Sequence, residues 1–135
     1  MKGNDKKDIL STALKSMNKE HDMIKEILNK INYAYNNKLN TTIKKKLINE
    51  LYIFLDFHFT SEENMLTMFD YPDYDKHKEE HDHMKYHLAE IIGTLDVEEI
   101  DFEELKNFIY ESLHIHTQKS DAELTKHLKT QYDSL

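Results

Sequence analysis

Residues 47–69 read LINELYIFLDFHFTSEENMLTMF, and Leu47, Leu51, Phe54, His58, Glu62, Met65 and Phe69 recur at the three-to-four spacing of one α-helix face. Two of these positions carry His58 and Glu62, where a helix packed on a core would carry Leu or Ile. Burying such groups is costly unless each is hydrogen-bonded or bound to a metal. This stretch therefore predicts a helix with a chemically active stripe.

The rest of the chain repeats the pattern. A first helix is expected from about Lys7 to Asn36, with stripe Leu10, Leu14, Met17, His21, Ile24, Leu28 and Ile31. Asn36-Asn37-Lys38-Leu39-Asn40-Thr41 reads as a loop, with Asn40 or Thr41 capping a second helix over about Thr42 to Phe69. Tyr71-Pro72 breaks that helix, and Pro72 or Asp73 opens a third. The third stripe is Tyr74, His77, His81, Met84, Leu88, Ile91 and Leu95, and Gly93 helps to end it. Asp101-Phe102-Glu103-Glu104 is a capping-box-like start for a fourth, with Phe102, Leu105, Ile109, Leu113, His116, Ser120, Leu124 and Leu128 on its stripe. Four such helices with short connections predict an all-α, up-down-up-down antiparallel four-helix bundle.

Composition agrees. At 135 residues the chain reads as one domain spanning 1–135, long enough to bury about 68% of its unfolded surface. Two Gly and one Pro leave little material for the turns of a β fold. With only 39% apolar residues, the periodicity carries the case against disorder. The net charge of -8 argues against a nucleic-acid partner. The absence of Cys excludes disulfides, thiolate zinc sites and Cys-ligated iron–sulfur clusters. The segment MKGNDKKDIL lacks an apolar leader region, and no stretch approaches the ~18 apolar residues of a membrane span, so a cytoplasmic protein with no membrane partner is expected. Lys44-Lys45-Lys46 and Glu98-Glu99 read as solvated surface.

His58 and Glu62, like His77 and His81, are four residues apart and project from one helix face. With His21 and His116 they put ligand-type side chains on all four stripes. Asp121 follows His116 by five residues, about 140° round an ideal helix. It shares a site with His116 only if the helix is locally distorted, as by a π-bulge, or if it reaches in from outside the stripe; otherwise it is solvated. Imidazoles suit iron, zinc, copper or nickel. Five histidines and two carboxylates are too many for one tetrahedral zinc. They fit two octahedral ions that share both carboxylates and a solvent-derived oxygen, with one position open. His83, His87 and His127 read as surface residues. His114 lies about 120° from the centre of the fourth stripe and His116 within about 40°, which favours His116 as the ligand. Glu63, about 100° round the helix from Glu62, reads as lying outside the site.

Glu20-His21, His58-Phe59-Thr60-Ser61-Glu62-Glu63, Tyr71-Pro72 followed by His77 and His81, and His116 with Asp121 together resemble the hemerythrin family, specifically its single-domain bacterial members. The likeness covers nearly the whole chain, and the family's last helix has the same five-residue step from His to Asp. The resemblance implies a non-haem di-iron centre in the core, oxo- or hydroxo-bridged, that reversibly binds dioxygen for transport, storage or sensing, with no catalytic residues. It assigns one iron to His77, His81 and His116, the other to His21 and His58 with a position open for oxygen, and bridging roles to Glu62 and Asp121. Ile24, Phe59, Ser112, Leu113 and Thr117 would line the oxygen pocket. Ser112 stands where the family commonly has Trp and Thr117 where it commonly has Ile, which implies a more polar pocket. The alternative is then an enzyme on the same scaffold that reduces peroxide or nitric oxide. A ferritin-like oxidase would draw mainly on Glu and Glu-x-x-His pairs, and a structural bundle with incidental zinc is the plainest competitor.

Overall fold

Asn40 accepts the backbone N–H of Ile43 on its side-chain oxygen at 2.9 Å, which satisfies one of the free donors at a helix start. Helix α2 accordingly runs Thr41–Met68. The computed structural model describes residues 2–94 and 102–131; within these, the side chains of 2–6, 102, 114, 115, 117, 118, 120 and 131 fall outside the description. The other elements are α1 (Lys2–Asn36), α3 (Tyr74–Thr94), α4 (Phe102–Ile115), a π-helical segment (His116–Asp121) and α5 (Ala122–Gln131). No strand occurs among the described residues. None of their helices is long and apolar enough to cross a membrane.

Helices α1 and α2 both stop without glycine. Lys38 (φ 52°) and Asp70 (φ 53°) adopt the left-handed conformation. Leu39 N–H then donates to Ala34 O at 2.9 Å, and Tyr71 N–H to Leu66 O at 3.0 Å, the six-to-one bond of a Schellman cap. Gly93, expected to end α3, lies inside it, and a Cβ there would meet nothing within 4 Å. Leu95 and the proposed cap at Asp101 lie outside the described residues.

Successive helices pack antiparallel. Lys30–Glu50 (2.7 Å) and His58–Glu20 (2.8 Å) tie α1 to α2 with opposite chain directions. Lys85–Asp56 (3.0 Å) and His81–Glu63 (2.8 Å) do the same for α2 and α3. His87 on Phe108, with His81 against His116, joins α3 to the last helical stretch.

Among the described residues the buried apolar side chains form two clusters. One holds Ile24, Ile31, Leu51, Phe59, Leu88 and Leu105 among others; the second is built around Leu10, Met17, Leu66, Phe69, Leu124 and Leu128. Each fully buried aliphatic side chain contributes roughly 1.5–3 kcal/mol. Along the chain His21, Glu62, His77, His81, His116 and Asp121 fall between residues of the two clusters, and His58 sits at the first cluster's edge beside Phe59. On α2 the buried face is wider than the expected stripe: Ile48, Leu55, Phe59 and Leu66 are buried, whereas Leu47 and Phe54 are only partly so. A helix pressed by neighbours on two sides buries more than one row. Lys44, read as solvated, is buried to 6% exposure with its ammonium 4.5 Å from the centre of the Tyr35 ring. Its aliphatic stem packs while the charge meets the ring face.

Candidate metal centre

The i,i+4 pairs put His58 with Glu62 on one face of α2, and His77 with His81 on one face of α3. His21 enters from α1. His116 and Asp121 bound the π-helical segment, whose wider turn brings residues five apart onto one side. His116 Nε2 and Asp121 Oδ1 are therefore 3.2 Å apart, a juxtaposition an ideal α-helix does not allow. The distortion weighed from the sequence is present at the step that needed it.

Two groups of candidate ligand atoms result, with the atoms in each within 4.8 Å of one another. The first comprises Glu62, His77, His81 and His116; the second comprises His21, His58 and Asp121. The carboxylates face both. Glu62 Oε1 lies against His77 Nε2, 3.4 Å from His81 Nε2 and 3.6 Å from His116 Nε2, while its Oε2 is 3.8 Å from His58 Nε2. Asp121 Oδ1 is 3.2 Å from the Nε2 atoms of both His77 and His116, and its Oδ2 is 3.6 Å from His21 Nε2.

This layer is buried and short of partners. His58, Glu62 and His81 are 0% exposed, His77 3%, His116 4% and Asp121 5%. Among the described residues, His21 Nε2, His58 Nε2, both Glu62 oxygens and Asp121 Oδ2 have no aligned hydrogen-bond partner. Each such orphan costs about 1–3 kcal/mol. Five of them converging as lone-pair donors fit a cation site, and the His/carboxylate set suits a transition metal.

Protons stand in for part of that charge without metal. Burial pushes the His77 and His116 imidazoles down, but the Asp121 and Glu62 carboxylates outweigh it and raise them to about 9 and about 10. Burial likewise pushes the Glu62 carboxyl up, and the His116, His77 and His81 imidazoles hold it well below the ordinary carboxylate range. His21 shifts the other way, lowered by burial and by His58, so it is neutral at pH 7. A ligating imidazole must be neutral. Metal loading at pH 7 should therefore acidify a weakly buffered solution, and affinity should fall as pH falls. Loading without proton release would show that His77 and His116 are already neutral.

Three further carboxylates were missed in the sequence. Glu20 Oε1 accepts from His58 Nδ1, Glu63 Oε2 from His81 Nδ1 and Glu80 Oε2 from His116 Nδ1, each at 2.8 Å. These bonds fix ring orientation and aim Nε2 inward. Glu63 is thus part of the site, contrary to its reading from helical angle. Each of the three sits beside a candidate ligand in sequence but serves the next helix: Glu20 beside His21, Glu63 beside Glu62, Glu80 beside His81. Adjacency was the available signal; the cross-helix target was not. Glu20→Gln, Glu63→Gln and Glu80→Gln should each weaken metal affinity by roughly 10–100-fold, measured by competition with a chelator. Unchanged affinity in all three would rule out an orienting role.

The expected pocket residues are distributed unevenly. Phe59, fully buried, stacks on His81 with ring centroids 4.1 Å apart and planes 9° from parallel. Ile24 is buried in the first cluster, and Leu113 is partly buried against it. Ser112 lines a groove of about 350 Å³ with Glu80, Met84, Glu111 and His116. The side chains of Thr117 and His114 lie outside the described residues. His83 and His87 are exposed, whereas His127 is half-buried edge-on to Tyr71, with centroids 5.2 Å apart.

A family model described as a hemerythrin HHE cation-binding domain matches residues 12–128, a span that includes all seven candidate residues from His21 to Asp121. No curated protein and no solved structure matches the chain.

Proposed function

The chain belongs to the hemerythrin family, and from that premise we propose that it holds two iron ions, oxo- or hydroxo-bridged, and binds dioxygen reversibly for storage, delivery or sensing. In this reading residues 1–135 form one domain, an up-down-up-down four-helix bundle. Its fourth helix is α4, the π-helical segment and α5 in succession, and the ions occupy the polar layer between the two apolar clusters.

The observation that carries the reading is the disposition of the two carboxylates, each of which turns one oxygen to either group. A single ion would not need both faces of Glu62. Bound there, an iron pair supplies the two electrons that dioxygen takes up and gives back. The rest falls to the chain. With one oxygen of each carboxylate, the first group offers three imidazoles and two oxygens, and the second offers two imidazoles and two oxygens. The second group has one donor fewer, so it is the side that takes an outside ligand. Phe59 and Ile24, both buried, exclude water from the layer. Glu20, Glu63 and Glu80 hold three rings in place.

One observation favours the second reading, reduction of peroxide or nitric oxide. Ser112, Glu80 and Glu111 place hydroxyl and carboxyl groups on the walls of the groove beside His116, on the side of the first group. The absorption spectrum of the reduced, iron-loaded protein tests both. A change on adding oxygen that reverses on removing it supports the carrier. Multiple-turnover consumption of peroxide or nitric oxide with no reversible change supports the enzyme. No iron-dependent change with any of the three overturns both.

A further inference from the structure

A groove of about 800 Å³ lies between α1 and α5, and its floor reaches His21 and Asp121 of the donor-poor group. Its rim carries Lys15, Lys126 and Lys129, all exposed. None of the three has an ion-pair partner among the described residues. Among the described residues the only carboxylate lining the groove is Asp121, which is 5% exposed and turns its orphaned Oδ2 toward His21. Among the described residues, three positive charges against one negative line this path, on a chain whose net charge is -8. Such a local reversal of sign attracts anions that the rest of the surface repels, because clefts concentrate field lines.

We propose that this groove is an entry channel for small inorganic anions, with Lys15, Lys126 and Lys129 steering them to the metal held by His21, His58 and Asp121. The inference rests on the two-ion reading above. It adds the path to that metal and the residues that favour charged ligands along it. Lys15 lies on α1, six residues before His21. Lys126 and Lys129 lie on α5, beyond Asp121. The lysines therefore flank the approach from both walls. They touch no candidate ligand atom, so their effect falls on the rate of arrival and not on the bond formed. A neutral ligand such as dioxygen gains nothing from them.

The probe is azide, followed by the absorbance of the iron-loaded, oxidised protein in rapid mixing. Replacing Lys15, Lys126 and Lys129 together by Gln should slow azide association roughly tenfold at low salt, within the 10–10³ range of electrostatic steering. The dissociation rate and the position of the azide band should stay as in the parent. At about 1 M salt, where the Debye length is about 3 Å, the difference should vanish. A control with Lys46, Lys76 and Lys106 changed to Gln has the same net charge and exposed sites elsewhere, and should bind at the parent rate. Dioxygen association by the reduced protein should be alike in all three. All six lysines are exposed, and circular dichroism with iron content confirms that the variants fold and load. Azide that binds the groove variant as fast as the parent at low salt overturns the channel and leaves the metal centre standing. Equal slowing in both triple variants also overturns it, since net charge alone would then be responsible. No azide band in any protein overturns both the channel and the site on which it rests.

Discussion

Glu62→Ala should strip the protein of both ions. Glu62 is 0% exposed, with Oε1 among three imidazoles and Oε2 toward His58. Removing it takes a donor from each group and leaves a void that the rigid stripe of α2 cannot fill from elsewhere. The loss should exceed the roughly 10–100-fold expected for an outer carboxylate. Glu63→Ala supplies that intermediate case, because it frees only the outer face of His81. Glu79→Ala, at an exposed position, should match the parent. Metal content after dialysis against a weak chelator should rank Glu79→Ala above Glu63→Ala above Glu62→Ala. Equal retention in the Glu62 and Glu63 variants would reject the shared carboxylate.

His21→Ala should behave differently and lose one ion only. His21 belongs to the group with fewer donors, and its Nε2 meets Asp121 Oδ2 at 3.6 Å. Without it that group keeps one imidazole, while His77, His81, His116 and Glu62 are untouched. Metal analysis should find about one ion per chain, and the oxygen-dependent spectrum should disappear, since the ion that takes an outside ligand is gone. Two ions retained, or none, would show that the groups are not separable in this way.

The helices could be read from the spacing of Leu, Ile and Met because burial on a 3.6-residue period leaves a direct trace in sequence. His58 and Glu62, or His77 and His81, were readable for the same reason: each pair stands in an apolar stripe. Asp121 was not, because ideal helical angles put it about 140° from His116 and only a π turn joins them. Nothing in HTQKSD by itself requires that turn; the five-residue step of the resembled family made the connection. The width of the buried face of α2 was hidden for a related reason. One stripe records one neighbour, and α2 has two. Glu20, Glu63 and Glu80 escaped because their partners lie on other helices, and pairing across helices depends on rotation and register that periodicity does not carry. Lys44 was misread as surface because a charged head hides a stem long enough to pack on Tyr35.

The most direct measurement is the metal content of protein expressed in iron-replete medium and purified without added metal. Two irons per chain, both lost in Glu62→Ala, are the expected result. One zinc per chain with negligible iron would contradict a di-iron centre.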